Sequence, residues 1–388
     1  MKSLKHIALL IRMDRAFDRD IAQGVGSYLR DNPHWSVFVG ESASDASSEI
    51  ADWHADGIIG DINASWPRRI ADRTGVPLVG FGVPTPTGDF GGRPVVMAHH
   101  HQIGAIAANH LLEKGIKHLA YCGLDTLPEF HYSLLRWQGF RDTTEAAGGT
   151  FHRYKPDPNV AGNWGAEQAR LRSWLVTLPK PAGVLALYDG RALKVIDAAR
   201  VEGIRIPEDI AVLGIDNDVS YCRVSDPTLS SIEPGSHRIG YQAATVLDGL
   251  LSGVVPKQNM MLIPPERVVE RNSTNTTGFE DEQVAEGIRF IRIHACDPIT
   301  VDQVLDHIGA SVSTGHRKFK QHLGRSIHAE IRRVQMERVR RLLIVTNHPI
   351  KQIAYEAGFE NTKYLARAFR EAHGTTPSEF RRTNQMRS

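Results

Sequence analysis

Residues 349–374, PIKQIAYEAGFENTKYLARAFREAHG, determine how the C-terminal part of this 388-residue chain folds. The segment has a short apolar-periodic stretch, a glycine at position 358, and a second stretch with one apolar face and Lys363 and Arg367 on the other. Two short helices joined by a turn at glycine are typical of a helix-turn-helix unit, whose second helix enters the major groove of DNA. The segment therefore predicts a DNA-binding unit.

A second copy of this pattern lies about 49 residues upstream. Residues 299–304, ITVDQV, are followed by Gly309, Phe319-Lys320 and Gly324, which correspond to PIKQI, Gly358, Phe369-Arg370 and Gly374. One copy is weak evidence because any helical hairpin has a glycine turn, but two copies favour a DNA-binding module. The stretch 327–345 between them has a helical pattern, and a rigid helix of that length would hold two recognition helices roughly 34 Å apart, one DNA turn.

Positive charge is concentrated in this repeated segment. From Val284 to the C-terminus there are 18 Lys and Arg against 10 Asp and Glu, a net charge of +8. Because the whole chain carries +2, the preceding residues carry −6. A basic module joined to an acidic body indicates a polyanionic partner for the module, although a solvated basic surface has the same composition.

The residues up to 272 follow a different pattern, in which short apolar runs alternate with amphipathic stretches. Candidate strands are 6–13, 35–40, 57–62, 77–82, 118–123, 183–189 and 210–216. Candidate helices are 19–29, 103–114, 134–147, 164–178 and 192–202. This alternation predicts an α/β fold of two lobes, each a parallel sheet with helices on both faces, and a ligand site in the cleft between them.

The segment 272–283, NSTNTTGFEDEQ, is polar and lacks periodicity, which predicts a linker. We therefore expect an effector-binding domain over 1–272, a linker over 273–283, and an all-α DNA-binding domain over 284–388. Within the effector domain, lobe one is expected at about 1–122 and 232–260, and lobe two at about 123–231 and 261–272.

Composition and motifs narrow the class of protein further. No apolar run approaches the roughly 18 residues that a membrane span needs, and the N-terminus has no cleavage site of a signal peptide. The three cysteines, Cys122, Cys222 and Cys296, include no CxxC pair, which suits a reducing cytoplasm rather than disulfides or zinc. No nucleotide-binding, hydrolase or metalloprotease motif stands at a strand–helix junction, so we expect no enzyme, cofactor or metal site.

The run 350–381, from IKQIAYEAGF to GTTPSEFR, resembles the signature of AraC-type regulators, in which the second helix of each unit contacts base edges. The resemblance implies DNA contacts by Ser313, His316 and Arg317 in the first unit and by Thr362, Lys363 and Arg367 in the second. Arg can bond guanine bidentately, and hydroxyls and Lys can bond bases or phosphates. Each of these residues taken singly also suits a plain exposed helix position.

Gly315 departs from the AraC-type pattern, which usually has a leucine there to pack the first recognition helix. Glycine inside a helix costs about 1 kcal/mol in helix propensity, and the leucine packing is lost as well. We therefore expect the first unit to be looser and the second to carry more of the sequence specificity.

Four short segments in the N-terminal part resemble the effector domain of LacI-type repressors, which is similar to periplasmic sugar-binding proteins. They are 211–218 (AVLGIDND), 229–232 (LSSI), 239–244 (IGYQAA) and 263–274, which begins IPP and ends VERNST. A sensor of this type joined to an AraC-type reader is the arrangement of bacterial xylose-responsive activators. The whole chain resembles them, including AFDR at 16–19 and Asn163-Trp164.

A sugar presents hydroxyls around a partly apolar ring, so its site needs carboxylates, arginine and an aromatic face. The resemblance implies that Arg136, Trp164, Asp189 and Asp216 contact the sugar and that Asp18 closes the cleft from the opposite lobe. Asp189 and Asp216 each end an apolar run, where side chains emerge into the crevice. The alternatives are a helix N-cap for Asp189, a core position for Trp164 and a solvent-facing charge for Arg136.

Three consecutive histidines, His99, His100 and His101, suggest a metal site at first sight. In an extended segment, however, neighbouring residues point to alternating faces, so three in a row do not readily chelate one ion. LacI-type domains often have an aspartate in this stretch near the cleft, which implies a ligand contact by one of the histidines.

Together these resemblances imply a cytoplasmic, sugar-responsive transcription activator. Its expected effector is a small sugar, D-xylose first, and its expected partners are operator or promoter DNA, a second copy in a homodimer, and RNA polymerase. Three alternatives stay open: another pentose or hexose, a non-sugar effector, since purine-binding relatives share the fold, or a carbohydrate enzyme with a nucleic-acid-binding tail. In the enzyme, Asp189 and Asp216 would act as a carboxylate pair.

Overall fold

A computed structural model of the protein describes residues 4–41, 53–83, 92–124, 132–160, 163–256, 258–275, 281–297 and 299–385. The chain divides into two units, Met1–Thr276 and Thr277–Ser388. The first unit alternates strands and helices and the second has only helices among its described residues, so both predicted fold classes are confirmed.

The first unit has two six-stranded sheets. Their strands are β1 (Lys5–Leu10), β2 (Trp35–Gly40), β3 (Gly57–Asp61), β4 (Leu78–Phe81), β5 (Val95–Ala98), β6 (His118–Cys122), β7 (Thr150–Arg153), β8 (Ala182–Ala186), β9 (Ile210–Ile215), β10 (Ser230–Glu233), β11 (Met260–Ile263) and β12 (Arg267–Val269). The described α-helices are α1 (Ala16–Asp31), α2 (Ser65–Thr74), α3 (His100–Leu112), α4 (Tyr132–Ala146), α5 (Trp164–Thr177), α6 (Asp189–Val201), α7 (Val219–Val224) and α8 (Ser236–Leu251).

Each sheet forms the centre of one lobe. The strand order is β11-β5-β4-β3-β1-β2 in lobe one and β12-β10-β9-β8-β6-β7 in lobe two, and the strands pair in parallel except β10 with β12. Central strands such as β3, β8 and β9 are buried along their whole length, as expected for parallel strands covered by helices on both faces. In such sheets the carboxyl ends of the strands share one edge, where ligands bind.

Two strands lie in the other lobe from the one predicted. The strand β6 was expected in lobe one but pairs with β7 and β8, and β11 was expected in lobe two but pairs with β5. The expected boundaries at 122 and 260 are therefore wrong at these strands, because connections only a few residues long carry the chain between lobes without a change in composition.

The linker is also shorter than the predicted 273–283. Ser273 is buried, receives a hydrogen bond from the Ser230 amide at 2.8 Å and donates one to the Val212 carbonyl at 2.6 Å, so it belongs to lobe two. On the other side, Asp281 caps the first helix of the second unit by accepting from the Val284 amide at 3.2 Å.

One glycine in the first unit positions a candidate site residue. A Cβ added to Gly104 on α3 would lie 2.1 Å from the backbone oxygen of Arg136 on α4. Because only glycine allows so close an approach, the two helices pack backbone to backbone at this point. This contact places Arg136 beside the first turn of α3.

The second unit contains the helices α9 (Glu282–His294), α10 (Val301–His307), α11 (Val312–Leu323), α12 (Ile327–Val345), α13 (Ile350–Glu356), α14 (Thr362–His373) and α15 (Pro377–Gln385). Two separate apolar cores lie along α12, one around Phe319 and Ile331 and the other around Leu343 and Phe369. The turns contain Gly309 and Gly358 with φ of 61° and 75°. The described helices of the chain include none that combines the length and apolarity of a membrane span.

Candidate functional sites

The loop after β9 carries the half-buried side chain of Asp216. Asp216 and Asn217 have φ of 101° and 49°, a conformation that non-glycine residues rarely adopt and that the surroundings must hold in place. The Asp216 amide donates to the Ile232 carbonyl at 3.0 Å, and the Asn217 amide donates to Ser231 Oγ at 3.0 Å. The strand β10 therefore fixes the direction of the Asp216 carboxylate.

The Asp189 carboxylate supports the same loop through a hydrogen bond from the Asp218 amide. Asp189 is 2% exposed, and its carboxylate accepts from the Asp218 amide at 2.7 Å and from the Ser231 hydroxyl at 2.5 Å. Burial raises the pKa of Asp189 well above its ordinary value, and the nearby Asp216 carboxylate raises it further. The N-cap alternative is wrong, because Tyr188 is the N-cap of α6 and no Asp189 capping bond is present.

Arg136 is buried at 3% exposure, which excludes the solvent-facing alternative. Its Nε donates to Nδ1 of His100 at 3.2 Å, and its Nη1 donates to the Leu187 carbonyl. The guanidinium carbon lies 4.9 Å from the centroid of the Tyr132 ring, a cation–π distance. Three neighbours thus hold a forked donor in one orientation before any ligand binds.

The electrostatics of Asp216 connect the two lobes. Burial raises the pKa of Asp216, the Arg136 guanidinium lowers it and the Asp20 carboxylate raises it, while Arg15 also lowers it. Arg136 lies in lobe two, whereas Arg15 and Asp20 lie at the start of α1 in lobe one. Asp216 therefore lies within electrostatic reach of charges of both signs, two of which, Arg15 and Asp20, belong to the other lobe.

Asp18 is buried in lobe one and forms a second acidic group there with Asp61. Asp18 Oδ2 accepts from the Arg12 amide at 3.2 Å, and Asp61 at the end of β3 accepts from the Asn63 amide at 2.8 Å. Burial raises the pKa of Asp18 to about 7, and repulsion by Asp61 contributes in the same direction. Near neutral pH this carboxyl is therefore protonated in part and can donate as well as accept.

One ion pair joins the lobes beside these groups. Arg19 Nη2 on α1 lies 3.0 Å from Asp218 Oδ2, and Asp218 is the N-cap of α7 directly after the Asp216 loop. Trp164 begins α5 after the N-cap Asn163, and its 63% exposure excludes the core alternative. No stacking or cation–π contact between the Trp164 ring and another candidate residue is found within the described part of the chain.

The three histidines point to different surroundings. His99 is the N-cap of α3, where Nδ1 accepts from the Gln102 amide at 3.3 Å. His100 is buried against Arg136, and His101 is exposed with Nε2 at 3.4 Å from Asp142. Only His100 therefore adjoins the candidate cleft residues.

Sequence reasoning missed Asp61, Arg15, Asp20 and Tyr132 as groups near the cleft. Asp61 carries the signal that identified Asp189 and Asp216, an acidic residue at the end of an apolar strand, and could have been found by it. Arg15 and Asp20 gave no such signal, because only the packing of α1 across the cleft brings them near Asp216.

The six candidate DNA contacts lie on the two predicted recognition helices. Ser313, His316 and Arg317 are exposed on α11, and Lys363 and Arg367 are exposed on α14, with Thr362 half-buried at its first position. The opposite faces of these helices pack Phe319 and Phe369 into the two cores. Arg367 Nε donates to Glu371 at 2.9 Å on the exposed side of the same helix.

The Leu305 side chain fills the space next to Gly315. A Cβ added to Gly315 would lie 2.1 Å from Cδ2 of Leu305, so the Leu305 side chain from α10 occupies the position of the missing one. The helix α11 is continuous through Gly315, which is buried. The loss of packing expected at this position is therefore made good by Leu305, and the looseness of the unit stays a prediction.

A two-lobed sensor and a pair of helix-turn-helix units in one chain define a ligand-responsive transcription regulator. Residues 108–274 match the periplasmic binding protein-like domain family, residues 304–383 a helix-turn-helix domain family, and residues 6–88 the XylR N-terminal domain family.

Individual relatives identify the family. The chain is 34% identical to the xylose operon regulatory protein of Escherichia coli strain K12 over 97% of both chains, and 33% identical to that of Haemophilus influenzae over 97% of both. It also resembles a solved structure of a xylose-binding transcription activator, XylR, with a TM-score of 0.65, 32% identity and 99% of both chains covered. The chain belongs to the family of xylose operon regulatory proteins. These are transcription regulators, so the carbohydrate-enzyme alternative is not supported.

Proposed function

We propose that this chain is a cytoplasmic, D-xylose-dependent activator that binds operator DNA as a homodimer and acts on RNA polymerase. The sugar binds in the cleft of the first unit and the DNA binds along α11 and α14 of the second. The name of the relative whose structure is solved, a xylose-binding transcription activator, supports the choice of sugar and the direction of the response.

The observation that carries the sugar assignment is the buried, pre-oriented Arg136 next to the half-buried Asp216. A fixed guanidinium donates a forked pair of hydrogen bonds to adjacent hydroxyls, and a carboxylate accepts from a third. Asp18 contributes an acceptor or donor from lobe one, and Trp164 offers an exposed indole face for the C–H side of the ring. Asp189 acts through the loop it supports.

Sugar closes the cleft because it bonds groups from both lobes at once. Closure changes DNA binding only to the extent that sugar binds the DNA-competent state more tightly than the other state. By the same linkage, DNA tightens sugar binding by the same factor.

A titration of the full-length protein with D-xylose and other pentoses and hexoses, followed by tryptophan fluorescence, tests the sugar. All six tryptophans, residues 35, 53, 66, 137, 164 and 174, lie in the first unit. We expect a saturable response to D-xylose that weakens at least 100-fold in Asp216→Asn, since a charge-assisted bond is lost at a site built to form it. Asp197→Asn, an exposed carboxylate on α6, is the control and keeps the wild-type affinity.

A response to another sugar would change the effector but keep the mechanism. An affinity unchanged in Asp216→Asn would place the sugar elsewhere.

Footprinting on the promoter regions of sugar-utilisation genes, with and without D-xylose, tests the proposed DNA binding. We expect protected half-sites about one DNA turn apart for each chain, bound more tightly with the sugar present. Sedimentation of the free protein tests the homodimer.

A further inference from the structure

The helix α12 belongs to both helix-turn-helix units. Its first half contributes Ile327 and Ile331 to the core of the first unit, and its second half contributes Val339 and Leu343 to the core of the second. Each core is complete on its own side of the helix. The relative placement of α11 and α14 therefore depends on α12 and on any other contact between the two helix-turn-helix units.

Gln335 lies between these two halves and is 5% exposed. Its Nε2 donates to the Ala295 carbonyl at 2.7 Å and to the Gly358 carbonyl at 3.2 Å. Ala295 is the C-cap of α9, which packs into the core of the first helix-turn-helix unit, and Gly358 is the turn glycine of the second helix-turn-helix unit. An amide nitrogen carries two hydrogens, so a single side chain bonds one helix-end carbonyl from each unit.

The second helix-turn-helix unit touches the first helix-turn-helix unit at the same point. A Cβ added to Gly358 would lie 2.8 Å from the Cys296 carbonyl oxygen and 3.0 Å from that of Ala295, so the turn sits directly on the end of α9. Both partners of Gln335 are carbonyls, which fixes the amide nitrogen toward them. Gln335 Oε1 has no hydrogen-bond partner among the described residues, so the side chain acts here through its donors.

We propose that Gln335 is a positioning residue for DNA recognition, which sets the spacing of half-sites that the two recognition helices accept. It contacts no DNA and acts through the turn of the second unit and the end of α9. The inference rests on the proposed contact of both units with DNA. A chain whose units are held in one register accepts one half-site spacing, whereas a loosened chain accepts several.

A purely stabilising role is the alternative, and Glu330 supplies the matched control. Glu330 is 0% exposed on the same helix and accepts from Arg325 at 2.5 Å and from Arg333 at 2.9 Å. Arg325 lies between α11 and α12, and Arg333 lies in the first half of α12. Glu330→Gln therefore weakens a buried network without loosening the link between units.

The experiment uses the full-length protein and a DNA fragment selected from a random pool by the wild type, with the spacing between half-sites varied by one or two base pairs. We expect wild type to bind one spacing best. Gln335→Met removes the donors at similar length, so binding at the best spacing falls about tenfold, the effect of one or two lost hydrogen bonds. Binding at the other spacings falls less than twofold, which flattens the profile.

Gln335→Lys restores donors without an acceptor, and we expect it to restore the wild-type spacing profile. Should Gln335→Met fail to fold, Gln335→Asn keeps the amide on a shorter side chain and is expected to flatten the profile in part. Equal loss at every spacing in the Gln335 variants, as expected for Glu330→Gln, would overturn the proposal. A wild type that selects no fragment from the random pool would overturn both this inference and the proposed DNA contact.

Discussion

The candidate side chains of the sensor, which is the unit Met1–Thr276, and those of the DNA reader, which is the unit Thr277–Ser388, differ in how the rest of the protein holds them. In the sensor, Arg136 and Asp189 are buried, and protein groups already bond them in fixed directions. In the reader, Arg317 and Lys363 are exposed, and Arg367 bonds only to Glu371 on its own helix among the described residues. The candidate sugar-binding side chains are thus held within the fold, whereas the candidate DNA contacts are exposed on the surface of their helices.

This difference predicts how substitutions divide between stability and binding. Changes to Arg136 and Asp189 should alter the free energy of unfolding together with sugar binding, because the same bonds serve both. Changes to the reader candidates should alter DNA binding alone, since exposed positions contribute within about 0.5 kcal/mol to stability.

The largest effect is expected from pH at Asp18. With a pKa of about 7 in the folded protein against an ordinary 3.8, Asp18 holds a proton between those values that the unfolded chain releases. The free energy of unfolding therefore falls as pH rises through this window, by up to about 4 kcal/mol at 1.36 kcal/mol per unit. Asp18→Asn should remove this share of the pH dependence, measured by urea unfolding with tryptophan fluorescence at pH 4.5 and 7.5.

Asp197→Asn serves as the control, because an exposed carboxylate leaves the difference between the two pH values as in wild type. A pH dependence in Asp18→Asn equal to that of wild type would mean that the carboxyl ionises normally in the fold. Asp18 would then be ionised at neutral pH and could only accept hydrogen bonds.

The second effect concerns Asp189. Asp189→Ala leaves the Asp218 amide and the Ser231 hydroxyl without their acceptor, and we expect the sensor to lose about 3 kcal/mol in unfolding free energy. Sugar affinity should fall as well, because the Asp216 loop loses its support. Asp197→Ala on the same helix should change the unfolding free energy by less than about 0.5 kcal/mol. Lost sugar affinity at unchanged stability would instead make Asp189 a direct ligand contact.

The two aspartates also show what the sequence could and could not predict. Both follow an apolar run in the sequence, so the same pattern identified them, although Asp189 begins α6 rather than ending a strand. Only tertiary contacts distinguish the buried Asp189 from the half-buried Asp216. The long helix α12 was predicted at its observed bounds, Ile327–Val345, because nineteen residues give several turns of periodicity. The strands β5, β7, β10, β11 and β12 were missed, since three or four residues give too short an alternation to recognise.

The third prediction concerns the reader. Arg367→Ala should weaken binding to a selected DNA fragment about 30-fold, or about 2 kcal/mol, if Arg367 bonds a base bidentately. Its ion pair with Glu371 is exposed, so the unfolding free energy should change little. Arg289→Ala, an exposed arginine on α9 with a similar pair to Glu286, is the control and should weaken binding only slightly. A loss shared equally between the two variants would indicate a general effect of charge rather than base recognition.

The smallest effect is expected at Gly315. It tests whether the first helix-turn-helix unit is as well packed as the second. Alanine favours a helix by about 1 kcal/mol over glycine, but its Cβ would displace Leu305 Cδ2, which lies 2.1 Å from the Cβ position. Leu305 is 2% exposed in the core of the first helix-turn-helix unit, so its displaced atom has little space to move into, and we expect Gly315→Ala to destabilise the reader by about 1 kcal/mol. Urea unfolding followed by circular dichroism at 222 nm measures it, since the reader has no tryptophan.

The sign of the change in unfolding free energy decides between two accounts of the first helix-turn-helix unit. A gain would mean that Leu305 fills a space it can leave at little cost, so that the first recognition helix is the looser one and a single methyl group tightens it. A loss would mean that Leu305 is locked between α10 and α11, because overpacking a filled site is itself destabilising. The glycine would then be required by the packing, and the two units would be equally rigid despite their different sequences.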